Sequence, residues 1–132
     1  MPPVVPPVVS LAVYAKDIAC VSSFYAAVVG LREVERASGF ILLAGPSFEL
    51  AVVQVPAELA AAIHIASPPT ARADTPIKPS FLVSNIEELR HEVQALGGLL
   101  KPAPAAWSWR DQLHLDGTDP EGNVFQLRQS EA

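Results

Sequence analysis

Two stretches of this chain carry the same pattern, and that repetition constrains the fold more than any other feature. A shift of 68 positions carries Asp17 onto Asn85, Ile18 onto Ile86, Val21 onto Leu89, Tyr25 onto Val93 and Val28 onto Leu96. The same shift carries Gly30-Leu31 onto Gly98-Leu99. Each stretch thus pairs a helix-capping side chain with an apolar stripe at helical spacing and a terminating glycine. A shift of 77 carries Gly45 onto Gly122 and Phe48-Glu49-Leu50 onto Phe125-Gln126-Leu127. The nine-residue difference between the shifts fits an insertion near the Pro- and Trp-rich segment 102–111.

Around these anchors, local composition predicts the remaining elements. Residues 8–14 read as a strand, the helix after Asp17 includes Cys20, Phe24 and Tyr25, and 31–37 and 40–43 read as short strands. Gly45-Pro46-Ser47 is a turn, and 48–55 is a fourth strand. A short alanine-rich helix from Pro56 and a proline-rich stretch follow. The pattern then restarts with a strand over 77–83 and the helix after Asn85. A strand over 99–102, a loop over 103–111, and strands over 112–118 and 124–129 complete it. The prediction is an α+β fold with two β-α-β-β-β modules, about 8–55 and 77–130, joined by a linker of about 56–76 in one domain spanning 1–132. Twisted strands curve, so the modules are expected to form a curved, cleft-enclosing mixed sheet with helices on its outer face. Strand parity turns Ser10, Ala12, Tyr14, Glu49, Ala51 and Val53 toward the cleft, with Lys78, Ser80, Leu82, Val124, Gln126 and Arg128 from the second module.

Composition narrows the partners. Half of the residues are hydrophobic, enough for a real core, and the net charge of −5 comes without a basic cluster. Phosphate neutralisation needs grouped Lys and Arg, which argues against nucleic acid and against an anionic membrane surface. The start, MPPVVPPVVS, has neither the basic region of a signal peptide nor the length of a membrane span, and its prolines favour an extended arm. The single cysteine, Cys20, makes no internal disulfide, which fits a cytoplasmic protein, and it reads as a small packed residue of the first helix.

The segments LAVYAKDIACVSSFYAAVVGL, IKPSFLVSNIEELRHEVQALGG and DPEGNVFQL resemble the vicinal oxygen chelate superfamily, which includes glyoxalase I, extradiol dioxygenases and bleomycin-resistance proteins. The resemblance covers about residues 8–129. In metal-dependent members one cleft-facing side chain per equivalent strand holds a divalent ion, and here those positions look like Ser10, Glu49, Lys78 and Gln126. Glu49 and Gln126 are plausible oxygen donors. Ser10 is a poor ligand, and the Lys78 ammonium offers no lone pair. The expectation is therefore no metal and no other cofactor. His64, His91 and His114 share no ligand spacing, although His114 alternates with Leu113 and Leu115 and is a candidate for the cleft. The resemblance also implies a homodimer whose clefts are completed by two subunits.

The candidate ligand-binding residues are Ser10, Tyr14, Glu49, Lys78, Trp107, Trp109, His114, Gln126 and Arg128. Lys78 and Glu49 occupy matching positions and are expected to approach one another as an ion pair. At least one of Trp107 and Trp109 is expected to cover a ligand by stacking. The sequence carries no nucleophile elbow and no phosphate-binding glycine loop. The reading is a metal-free small-molecule-binding protein. The alternatives are a lyase, isomerase or dioxygenase, either with a metal held through Glu49, Gln126 and His114 or without metal with Glu49 as candidate base, and an interaction module without a small ligand.

Overall fold

The computed structural model describes residues 9–72, 74 and 77–132, so the N-terminal arm, Val8 and the end of the linker at Pro76 lie outside the described residues. The strand-helix-strand order repeats as expected. The first half comprises β1 (Val9–Ala15), α1 (Ile18–Val29), β2 (Arg32–Ala37), β3 (Phe40–Gly45) and β4 (Phe48–Gln54), with sheet order β1-β4-β3-β2. After the four-residue α2 (Ala57–Ala60) come β5 (Ser80–Leu82), α3 (Ile86–Ala95), β6 (Leu99–Leu100), β7 (Trp107–Trp109), β8 (Gln112–Thr118) and β9 (Val124–Ser130). Their sheet runs β5-β9-β8, with β6 and β7 both paired to β8. In each half the first and last strands run parallel and the others antiparallel.

The halves form two mixed sheets, one from each module, and no ladder joins β1 to β5 among the described residues. Pro79 stands immediately before β5 and offers no N–H, so this strand is three residues long and sits at a sheet edge. The halves are joined by their core instead. Rings of Phe24 and Tyr25 on α1, Phe125 on β9, Phe81 on β5 and Phe48 on β4 meet mostly edge-on at centroid distances of 5.3–6.1 Å.

Local chemistry explains the repeated frame. The Asp17 side chain accepts from the Cys20 N–H at 3.0 Å, and the Asn85 side chain accepts from the Glu88 N–H at 3.1 Å. Gly30 ends α1 in the left-handed region at φ 74°, and Gly97 adopts φ 95° just beyond α3. Its neighbour Gly98 meets a different demand. A Cβ there would lie 2.6 Å from the Thr118 carbonyl oxygen and 2.5 Å from the Phe24 ring.

Two local expectations are corrected. Cys20 is exposed on α1, while Val21, Phe24, Tyr25 and Val28 carry the buried stripe. Partial desolvation of the sulfur by its neighbours, and then the nearby carboxylates led by Asp17, push the Cys20 thiol up, the opposite of an activated thiolate. The segment 103–111 is no simple loop. Its first residues make a short 3-10 turn, and Trp107–Trp109 then form β7 in a hairpin closed by Arg110 and Asp111, at φ 54° and 59°.

The turn at 119–123 fastens the halves together. Asp119 is fully buried and accepts from the Tyr25 hydroxyl at 2.9 Å, the Glu121 and Asn123 backbone N–H groups, and the Asn123 side-chain amide at 2.8 Å. Burial pushes its carboxyl above the usual range, partly offset by these hydrogen bonds. Burial likewise raises the Tyr25 phenol. Glu121 reaches the first half, where its two oxygens accept the Lys16 and Asp17 N–H groups at 2.8 Å each. The start of α1 is thus held by a side chain from the opposite end of the chain.

Candidate functional site

Strand parity places one row of each sheet toward the helices and leaves the other free for chemistry. In the first half the free face carries Ser10, Ala12 and Tyr14 on β1 beside Glu49, Ala51 and Val53 on β4, with Leu42 and Ala44 on β3. Ser10 stands directly opposite Glu49, which is half-buried and makes no side-chain hydrogen bond to any described residue. Tyr14 is 60% exposed on this face. Apart from Ser10, Glu49 and Tyr14, these side chains are small or apolar.

The second half is different. Gln112, His114, Asp116 and Thr118 on β8 share a face with Gln126 and Arg128 on β9 and Ser80 on β5. Their side chains are linked. Lys78 Nζ lies 2.9 Å from Asp116 Oδ2, and the Asp116 carboxylate accepts from Gln126 Nε2 at 3.5 Å. The Ser80 hydroxyl donates to Gln126 Oε1 at 2.6 Å, and it accepts from Arg128 Nε at 2.8 Å. Arg128 Nη1 donates to Gln112 Oε1 at 2.9 Å. Beside this chain His114 is buried, its Nδ1 3.0 Å from the Gln112 carbonyl oxygen and its ring stacked on Trp107 at 5.4 Å. Lys78 Nζ also stands 5.4 Å from the Trp107 ring centroid, a cation–π distance. Trp109 is tilted against His114 at 5.9 Å and is 61% exposed, with Arg110 over its ring.

Of the residues singled out from sequence, the structure gathers Lys78, Trp107, Trp109, His114, Gln126 and Arg128 on the second sheet, and leaves Ser10, Tyr14 and Glu49 on the first. Lys78 pairs with Asp116 rather than Glu49. The residue opposite Gln126 is Ser80, just as Ser10 is opposite Glu49. The matched strand residues Ser10 and Ser80 lie seven residues before Asp17 and five before Asn85, so a shift set by the helix caps misplaces the strand by two. Asp116, Gln112 and Thr118 join this face without standing out in the sequence, although each shares the parity of His114 along β8 and that alternation is the available signal.

The equivalent strand positions therefore hold Ser10, Glu49, Ser80 and Gln126, which offer one carboxylate, two hydroxyls and an amide oxygen already engaged by Ser80. That donor set does not fit a site for zinc, nickel or iron, which favours imidazole, carboxylate or thiolate in number. Among the described residues no group of three or more His, Cys, Asp or Glu is arranged to hold a metal ion.

A cavity of about 580 Å³ opens on the second sheet's free face. Lys78, Leu99, Lys101, Asp116, Thr118 and Val124 line it, together with Pro69 and Ala71 of the linker. Thr118 is 8% exposed, and its Oγ1 has no hydrogen-bond partner among the described residues.

A family model of the glyoxalase-like domain matches residues 10–128, and the chain belongs to this family. No curated protein is matched by the sequence. Among solved structures it is similar to a glyoxalase/bleomycin resistance protein/dioxygenase family enzyme from Burkholderia phytofirmans PsJN, at 20% identity and a TM-score of 0.71 over 95% of this chain and 99% of that one. It is also similar to the fosfomycin resistance protein FosX from Listeria monocytogenes, at 13% identity and a TM-score of 0.63 over 98% and 95% of the two chains. A mutant of that protein was crystallised with Mn(II) and 1S,2S-dihydroxypropylphosphonic acid, at 12% identity and a TM-score of 0.65 over 98% and 91%. These likenesses establish the glyoxalase-like fold. Among the described residues no helix is long and apolar enough to cross a membrane.

Proposed function

We propose that this protein binds a small molecule on the free face of its sheets without using a metal ion. The observation that carries the reading is the linked row Lys78–Asp116–Gln126–Ser80–Arg128–Gln112, set beside the Trp107–His114 stack and a cavity of about 580 Å³. Ordered polar groups around a concave, partly apolar space are what small-ligand sites are made of. The side chains at the four equivalent strand positions supply the second support, since they suit hydrogen bonding better than metal ligation.

The protein acts as a homodimer in the cytoplasm in this proposal. The small, open side chains of the first half's free face leave room for a second copy to complete the cleft, and a monomeric mass by light scattering at micromolar concentration would refute the pairing. A metal-dependent lyase, isomerase or dioxygenase is the second reading, favoured by Glu49, a half-buried carboxylate with no hydrogen-bond partner among the described residues. In that reading Glu49 is a metal ligand or, in a variant of it without metal, the base, and in either role Glu49→Gln would abolish turnover.

Intrinsic fluorescence separates the two. Both tryptophans of the chain lie in β7 on the site face, so a ligand there perturbs emission. Chelator-treated protein should show saturable changes with members of a panel of amphipathic aromatic compounds. Changes that appear only after stoichiometric manganese, zinc or nickel is added would replace the metal-free reading with the second one.

A further inference from the structure

We propose that the cleft between the two halves takes a zwitterion with an apolar body, its carboxylate on the Arg128 guanidinium and its ammonium on the Glu49 carboxylate. This deepens the small-molecule reading and rests on it.

Placement gives the first argument. Ser10 and Ser80 hold matching positions on β1 and β5, and with Arg128 they line a cavity of about 600 Å³ between the two sheets. Glu49 stands beside Ser10 on the neighbouring strand, and Arg128 donates from Nε to the Ser80 hydroxyl at 2.8 Å. The order Glu49, Ser10, cavity, Ser80, Arg128 sets a carboxylate behind one wall and a guanidinium on the other. Val9, Leu11, Phe48, Ile77 and Phe81 also line the cavity and suit a hydrocarbon or aromatic body.

Charge gives the second, independent argument. Ionised groups withdrawn from solvent are normally paired. Glu49 and Arg128 are both half-buried, and neither forms an ion pair with the other or with any described residue. Lys78 and Asp116, on the same face as Arg128, neutralise one another at 2.9 Å. Arg128 is nonetheless held in place. Its Nε and Nη1 are engaged by the neutral oxygens of Ser80 and Gln112, which orients the guanidinium plane and leaves Nη2 for a ligand. Glu49 has both oxygens available, and the exposed Ser10 hydroxyl is likewise unengaged among the described residues. A simple anion would answer Arg128 and leave Glu49 bare, and a simple cation would do the reverse. A zwitterion answers both. A lone carboxylate can hold an ammonium by hydrogen bonds, without the further donors that a transition-metal ion requires.

Calorimetry on chelator-treated protein with three probes of one shape tests this: naphthylalanine, naphthylpropionate, which lacks the amine, and naphthylethylamine, which lacks the carboxylate. The zwitterion should bind about tenfold more tightly than either of the others, the effect of one charge-assisted hydrogen bond in each comparison. Glu49→Gln removes a charge that has no partner in the protein. It should bring naphthylalanine down to the affinity of naphthylpropionate and leave naphthylpropionate unchanged. Arg128→Gln should bring naphthylalanine down to the affinity of naphthylethylamine. That variant also loses its ties to Ser80 and Gln112, so Arg128→Lys, which keeps the charge, is measured beside it and should recover part of the loss. If neither Arg128 variant folds, the native comparison and Glu49→Gln decide. Equal binding of the three probes, or a preference for naphthylalanine that survives Glu49→Gln or Arg128→Gln, would overturn the assignment while leaving the small-molecule reading intact. If none of the three binds, the assignment also falls, and the tryptophan-monitored panel decides the broader reading separately.

Discussion

The two halves of this chain share a frame and differ on the face that frame presents. Both have an Asp or Asn cap before the helix, a glycine after it, and a parallel pair formed by their first and last strands. Leu50 and Leu127, at matching positions, are 1% and 0% exposed. The free faces, however, carry Ser10, Tyr14 and Glu49 unlinked among Ala12, Leu42, Ala44, Ala51 and Val53 in the first half, with Arg32 and Glu35 on the β2 edge, against the side-chain network that joins Gln112, Asp116, Gln126 and Arg128 beside His114 in the second. Duplication conserves what the core needs, because interiors tolerate little change in volume. The free face has no packing to satisfy, so one copy can specialise while the other stays plain. The second half is where the polar side chains are joined into an ordered network.

Matching positions in the frame test how equal the copies are. Phe125 is fully buried and touches Phe24 and Tyr25, while its counterpart Phe48 is only half-buried and meets Phe81. Phe125→Ala should cost about 3–5 kcal/mol by urea unfolding, and Phe48→Ala clearly less. Equal losses would mean that the copies contribute alike and that the second half does not dominate the shared core. The next effect is smaller. Shifting by 77 carries Ala44 onto Glu121, so the first half has no counterpart to the carboxylate that grips Lys16 and Asp17. Glu121→Gln turns one acceptor into a donor facing an N–H group and should cost about 1–3 kcal/mol. A neutral result would show that the halves are held by aromatic packing alone.

The repeat, the order of elements, the facing of strands and most of the core stripes were legible in the sequence, because each depends on local periodicity and capping. Register between distant strands was not. Asp17 and Asn85 locate the helices correctly, but Ala15-Lys16 has no equivalent in the second half, so a shift taken from the caps puts Lys78 on Ser10 where Ser80 belongs. The partner of Lys78 was hidden for the same reason. Asp116 lies on β8, and only the pairing of β8 with β9 brings it beside Gln126. Trp107–Trp109 looks like loop in the sequence because Pro102, Pro104 and Arg110-Asp111 flank it, and the ladder to Gln112–His114 is a tertiary choice that local composition does not announce. In the turn at 119–123, Pro120 and Gly122 were readable as turn chemistry, whereas the reach of Asp119 to Tyr25 and of Glu121 to Lys16 is long-range.

That long-range contact supplies a prediction with a pH signature. Tyr25→Phe removes one donor from the buried Asp119 carboxylate and should cost about 1 kcal/mol at neutral pH. Asp119 already has a folded pKa above its unfolded value. The stability it contributes is therefore full below the unfolded value, near about 4, and is lost as pH rises through the folded value. Losing the Tyr25 donor raises the folded value further, because that hydrogen bond favours the ionised form. The cost of Tyr25→Phe should then be larger at pH about 7 than at pH about 4, measured as the difference between native and variant unfolding curves. A cost independent of pH would assign Tyr25 a packing role alone. No matching titration is expected in the second helix, where the residue equivalent to Tyr25 is Val93.

The smallest expected effects compare the free faces directly. Trp107 stacks on the buried His114 ring, and offset aromatic pairs contribute roughly 0.5–1.5 kcal/mol beyond area burial. Trp107→Leu should lower stability by an amount in that range and also remove the cation–π contact with Lys78. Tyr14 on the first half's face is 60% exposed and contacts no described ring, so Tyr14→Ala should change stability by less than about 0.5 kcal/mol. The informative quantity is the difference between the two variants. Rigid, stacked aromatics bind with little entropy loss because they are already ordered, and an exposed tyrosine must be ordered by its ligand. If Tyr14→Ala proved the more damaging in isolated protein at micromolar concentration, the first half's face would have to be covered in solution. The plain face would then be one side of a subunit contact, and the ordered second face would be its complement.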